Sequence, residues 1–320
     1  MDNALASAPM RTVDVHQHLW PEAVLRVLER RGVPPKATWR RDRWHIELPA
    51  EPGFDVHPND HDPAERARGL RVDRALVALS PPAGLDALPA RDALAVVAAW
   101  QEAVRALPPE LGWWAATPSS LPADAEAELA REAVAEGAAG LCLSAPRLSG
   151  VETTLASVAE AGAPVLIHPG PATGGRATDP AWWSPATDYV AQQHAAWHTF
   201  QAFVRPALPT LRVIFAGLAG LAPLQAERTA TKGGPVAEQA LADQLCFYDT
   251  SSYGPRATRA MATAVGIGQL VHGTDFPVDD RADDPVEVAF GEGFAALVKT
   301  SATDRALGYS RVPAARGASA

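Results

Sequence analysis

Eight short apolar runs, each separated from the next by a segment of helical periodicity, constrain this chain more than any other feature of it. They cover residues 11–20, 74–80, 111–116, 139–143, 164–168, 211–216, 245–249 and 269–273. Their continuously apolar character predicts strands buried on both faces. Helices predicted at 21–31, 63–71, 89–107, 122–137, 151–161, 189–206, 223–231, 235–243, 255–265 and 285–299 fall between and after them. Strands alternating with helices are parallel strands joined by right-handed crossovers. Eight such units in 320 residues predict an α/β protein whose strands close into one (β/α)8 TIM barrel, spanning 1–320 as a single domain. The alternative is an open doubly wound sheet, but the Gly-rich phosphate turn that usually follows its first strand is absent. Two stretches break the rhythm. Residues 33–62 form an insertion in which Trp39, Trp44, Ile46 and Leu48 predict a β-hairpin, while His57 and His61 sit in a Pro/Asp-rich loop. Connections this long are often lids or binding loops. The end, 311–320, is small and polar and is expected to fray.

Composition excludes several classes of partner. A formal net charge of −9, spread along the chain, argues against nucleic acid, whose phosphates it would repel. No apolar run reaches the ~18 residues that a membrane helix needs. The opening MDNALASAPMR lacks the pattern of a secretory signal. Cys142 and Cys246 both lie in apolar strand-like runs, which fits buried free thiols and a reducing cytoplasm.

In a barrel of this kind, chemistry is sought at the carboxyl ends of the strands. The first strand ends in RTVDVHQHLW, where strict alternation puts Asp14, His16 and His18 on one face, the two imidazoles about 6–7 Å apart along the strand. The fifth ends in His168 and the eighth in Asp275. Three imidazoles and a carboxylate at one rim suit a divalent metal, zinc first and manganese or another divalent ion as alternatives. Asp275 is then both a ligand and the candidate base. Asp14 would lie one step deeper and orient a ligand or simply fill the barrel. The segment 170–183 is too rich in Gly and Pro for helix and reads as a substrate loop, with Arg176 a candidate carboxylate clamp and Trp182 and Trp183 apolar walls. Trp100, Trp113 and Trp114 read as core. His272 is turned by alternation away from Asp275, toward the helical layer.

These pieces resemble the amidohydrolase superfamily, in particular its amidohydrolase-2 branch, which includes the aminocarboxymuconate-semialdehyde decarboxylase-like enzymes. The matching segments are DVHQH (14–18), VLIHPGP (165–171), RVIFAGLAGLAP (212–223), FYDTSS (247–252) and HGTDFPV (272–278), in the family's order across nearly the whole chain. The resemblance implies a barrel enzyme in which His16, His18, His168 and Asp275 hold one ion. It also exposes a departure: after the sixth strand the family carries a histidine that works as acid/base beside the metal, and Gly217 stands there instead. Candidate substitutes are His194 and His198 on the helix after the fifth strand, His57 and His61 on the insertion, and Tyr253 after the seventh strand. For each of these a structural or solvated role is the alternative. His194 and Tyr253 are also candidate substrate contacts.

Three functions follow in order. The first is a cytoplasmic metal-dependent hydrolase of a small amide, lactone or ester. The second is a non-oxidative decarboxylase of a small, possibly aromatic, carboxylic acid, and the third a non-catalytic binding barrel. A small-molecule substrate is the expected partner. A homodimer follows only from family habit.

Overall fold

A computed structural model describes residues 11–309; the expected fraying of 311–320 lies outside the described residues. In chain order the strands are β1 (Val13–His18), β2 (Lys36–Arg40), β3 (Arg43–Glu47), β4 (Phe54–Val56), β5 (Arg74–Ala78), β6 (Leu111–Trp113), β7 (Leu141–Ser144), β8 (Val165–His168), β9 (Val213–Phe215), β10 (Cys246–Asp249) and β11 (Leu270–Val271). β2, β3 and β4 form an antiparallel sheet, with Trp39 opposite Trp44 and Ile46 opposite Phe54. The insertion is therefore a three-stranded sheet rather than the expected two-stranded hairpin.

The other eight strands pair in parallel in the order β1-β5-β6 and β7-β8-β9-β10-β11. Backbone hydrogen bonds close both seams. Between β6 and β7, the Ala115 N–H donates to Gly140 O at 2.8 Å and the Cys142 N–H to Ala115 O at 2.9 Å. Between β11 and β1, the Val15 N–H donates to His272 O at 2.9 Å and the His18 N–H to Phe276 O at 2.8 Å. A closed ring leaves no unpaired edge. The (β/α)8 barrel is the fold.

Alternation along the strands divides the apolar residues into two layers. Val13, Val15, Leu76, Trp114, Leu166, Ile214, Phe247 and Val271 fill the barrel interior. Val77, Leu111, Leu143, Ile167, Phe215 and Tyr248 face outward against the helices. Trp114 is fully buried inside the ring, and its indole N–H donates to Val15 O at 2.9 Å, tying the floor of the barrel to β1. Trp100, on the helix Ala90–Val104, is fully buried too, and Trp113 is almost as deep, so all three tryptophans are core as expected.

One local departure matters for the site. The β1–β5 register shifts between Asp14 and Gln17. Such an irregularity breaks the strict two-residue period. Asp14 consequently does not share a face with His16 and His18. It turns outward with Gln17, and Gln17 Nε2 and Thr274 Oγ1 donate to its Oδ2 at 2.7 and 2.6 Å. His16 and His18 still project together toward the rim. The last predicted helix, 285–299, is also broken, at Gly291 (φ +90°), into Pro285–Phe290 and Glu292–Leu297.

The floor of the barrel generates the first expected outcome. Trp114→Ala removes the largest interior side chain and its bond to β1, and should destabilise the fold by roughly 3–5 kcal/mol. Chemical denaturation measures this as a lowered unfolding midpoint; an unchanged midpoint contradicts the packing described here.

Candidate metal centre

Each of the four site residues sits where a strand runs out. His16 and His18 close β1, His168 closes β8, and Asp275 follows β11 in the left-handed region (φ +62°). That conformation is uncommon for a non-glycine residue. It is held because the Asp275 N–H donates to His16 O at 2.8 Å, which turns the carboxylate back over the rim. The four ligand-capable atoms lie within 4.8 Å of one another. His18 Nε2 is 3.2 Å from both His16 Nε2 and His168 Nε2, and Asp275 Oδ1 is 2.9 Å from His18 Nε2 and 3.4 Å from His16 Nε2.

The other ring nitrogens explain this convergence. His16 Nδ1 faces Asp249 Oδ2 at 2.8 Å, His18 Nδ1 faces the Ala78 carbonyl at 3.3 Å, and His168 Nδ1 faces the Pro169 carbonyl at 2.8 Å. A carbonyl or carboxylate oxygen only accepts, so all three Nδ1 atoms carry protons. All three Nε2 lone pairs then point at one another and at Asp275 Oδ1, which is buried and has no hydrogen-bond donor. Four acceptors crowded in this way repel unless a proton or a metal cation lies between them, and without a metal His16 takes up that proton. The donor set, three imidazole nitrogens and one carboxylate oxygen, suits a divalent ion such as zinc or manganese.

Charge around the rings points the same way. Burial opposes a charged His16, but Asp249 and Asp275 outweigh it and raise His16 to about 9. Burial, reinforced by the two neighbouring imidazoles, lowers His168 to about 3. Asp275 is driven below the usual carboxylate range: burial opposes this, and the three histidines overcome it. The centre thus holds at least one proton whose place a metal would take.

Asp249 is the residue that sequence reasoning passed over. Its Oδ1 accepts the Gly217 N–H and the Ser251 N–H, each at 2.9 Å, while its Oδ2 holds His16. It ends β10 on the inward side, within FYDTSS, and that position was the available signal. The orienting role, one of the two readings of Asp14, is filled by Asp249.

Above the four residues opens a cavity of about 660 Å³, walled by Trp20, Leu48, Phe54, Val56, Pro82, Trp182, Val190 and Tyr253. The three-stranded insertion roofs it and contributes Glu51 and His61 as well. Of the expected substrate contacts and apolar walls, Tyr253 and Trp182 line it, whereas Arg176, Trp183 and His194 do not. Arg176 is exposed and absent from the walls. Trp183 is exposed and packs against Trp182, which takes the wall position. His194 Nε2 lies 2.6 Å from the Gly220 carbonyl, to which it donates. His57 is exposed beside Arg43, and His198 packs on Trp197. His272 faces outward as expected, lining a separate polar cavity with Asp284 and Lys299.

Gly217 begins a turn in which residues 217–221 all have positive φ, from +49° to +68°. A Cβ at Gly217 would meet the Tyr253 ring at 3.7 Å. The phenol therefore stands beside the place from which an acid/base side chain would project.

Neither a family model nor a curated protein sequence matches this chain. Solved structures do. The apo form of IDCase from Metarhizium anisopliae superposes with a TM-score of 0.77 at 19% identity, covering 92% of this chain and 96% of that one. 5-Carboxyvanillate decarboxylase from Sphingomonas paucimobilis gives 0.68 at 14%, covering 93% and 99%. Dihydroxybenzoic acid decarboxylase from Polaromonas, holding manganese and the inhibitor 2-nitroresorcinol, gives 0.65 at 13%, covering 95% and 98%. The fold is that of the amidohydrolase-2 barrels. At these identities the likeness concerns the fold.

Two outcomes follow. Because His16 carries a proton below about pH 9 in the metal-free centre, a divalent ion must displace it. Affinity should rise with pH between 6 and 9, and calorimetry in two buffers at pH 7.5 should show about one proton released per ion. No proton release contradicts the assignment. Asp249→Asn should leave the fold intact while weakening metal binding roughly 10–100-fold, measured by competition with a chelator.

Proposed function

We propose that this chain is a divalent-metal-dependent, non-oxidative decarboxylase of a small aromatic carboxylic acid. The observation that carries the reading is the convergence of His16, His18, His168 and Asp275 beneath a largely apolar, aromatic-walled cavity. The shared fold with decarboxylases of hydroxylated aromatic acids supports it. In this reading the four side chains hold one ion, zinc or manganese, which supplies Lewis acidity toward a substrate oxygen. Trp20 and Phe54 offer the substrate ring an apolar wall.

Decarboxylation breaks the bond between ring carbon and carboxyl carbon, releases CO2 and returns one proton to the ring carbon. With glycine at 217, the proton must come from another group. Tyr253 supports that role by its place: it lines the cavity, and its ring stands 3.7 Å from where a Cβ at Gly217 would project, with a phenol that burial keeps protonated. His61 is a poorer source. Burial, with Arg66 beside it, lowers it to about 3, and its Nδ1 accepts the Trp20 N–H at 3.0 Å, so it stays neutral.

A second reading, hydrolysis of a small amide, lactone or ester, is favoured by one observation, the missing acid/base side chain at Gly217. One experiment separates the two. The protein loaded with Mn²⁺ or Zn²⁺ is incubated with hydroxybenzoic and aminobenzoic acids and, separately, with lactones and anilides. CO2 release from the acids is expected; hydrolysis without CO2 release overturns the decarboxylase reading. Tyr253→Phe should lower kcat roughly 10²–10⁴-fold with KM little changed.

A further inference from the structure

Outside the imidazoles of the metal centre, the charge of the cavity wall is one-sided. Its lining includes no lysine or arginine, whereas three carboxylates reach it: Glu51, Asp55 and Asp275. Two of these are already engaged. Asp55 is paired with His45 at 2.8 Å and with Arg43 at 3.7 Å, and Asp275 faces the three imidazoles. Glu51 is different. It is 6% exposed, and no ion pair among the described residues includes it. It is held in place by neutral donors, the Tyr189 hydroxyl at 2.6 Å on Oε2 and the Ala172 N–H at 3.4 Å on Oε1.

A buried carboxylate without a basic neighbour has acceptor capacity left over, since each oxygen carries more than one lone-pair site. A second anion placed against it would be repelled in a medium that screens poorly. A hydroxyl, amino or ring N–H group would complete its hydrogen bonding instead. Burial raises the Glu51 carboxyl above its ordinary range, as expected of an acid that lacks a cation.

We infer that Glu51, held by Tyr189, selects substrates that present a hydrogen-bond donor to the cavity wall it lines and rejects those that present a second carboxylate to it. This deepens the decarboxylase reading and rests on it only for the group that faces the metal.

The test reads binding rather than turnover. Trp20 and Trp182 line the cavity, so quenching of tryptophan emission in the Mn²⁺-loaded protein reports occupancy. The probes are 3- and 4-hydroxybenzoate and 3- and 4-aminobenzoate against isophthalate and terephthalate. The donor-bearing acids should bind at least tenfold tighter than the dicarboxylates. Glu51→Gln should bring the ratio within threefold with metal content unchanged, and Glu51→Lys should invert it. Equal affinity in the wild type, or an undiminished ratio in Glu51→Gln, overturns the inference. If no acid binds and neutral carbonyl compounds are hydrolysed, the decarboxylase reading fails. The ratio between 4-aminobenzamide and 4-carboxybenzamide then decides the role of Glu51 by the same criteria.

Discussion

Three imidazole lone pairs aimed at a single point are the constraint on which the rest of this structure depends. They meet because an acceptor behind each ring claims the opposite nitrogen: a carboxylate for His16 and backbone carbonyls for His18 and His168. The barrel supplies those acceptors. The carbonyl behind His18 belongs to β5, the carboxylate behind His16 to β10, and the carbonyl behind His168 follows β8. Closure of the ring at the β11–β1 seam brings Asp275 over the same point. Fold and site are therefore one arrangement: opening either seam would separate ligands contributed by β1, β8 and β11.

The left-handed turn at 217–221 shows how the site's surroundings are maintained. Leu218, Ala219 and Leu221 occupy a region that costs an L-residue about 1–2 kcal/mol each. The turn persists because Leu218 and Ala219 are fully buried, Asp249 accepts the Gly217 N–H, and His194 donates to the Gly220 carbonyl. His194 thus fastens the loop from behind, which is why it is unavailable to a substrate. Asp249 touches this turn and His16 at once, coupling loop geometry to ring orientation. Tyr253, beside Gly217, is a proton-bearing group that this arrangement leaves facing the cavity.

Much of this could be read in the sequence. The eight apolar runs correspond to the eight barrel strands, and His16, His18, His168 and Asp275 stand together because strand ends of a parallel barrel share one rim. What escaped was what periodicity cannot express. The register shift inside β1 moved Asp14 to the outer face, and no composition rule signals a one-residue irregularity in a strand. Asp249 lay in a segment noticed for its resemblance, yet its role depends on a contact across 233 positions. Arg176 and Trp183 lie on the loop that follows His168, and their place on that loop is all the sequence shows of them. Which side chains of an irregular loop turn inward is decided by local bonds, such as the Arg176 N–H to Asp179 Oδ2. Glu51 was invisible for the same reason: only the folded insertion brings it to Tyr189.

The central claim is that one cation is held by three Nε2 atoms and one carboxylate oxygen. X-ray absorption spectroscopy of the Zn²⁺-loaded protein tests it most directly. The account predicts one ion per chain, with imidazole scattering from three histidines at about 2.0–2.1 Å together with an oxygen ligand. A spectrum fitted by one imidazole or none would contradict it.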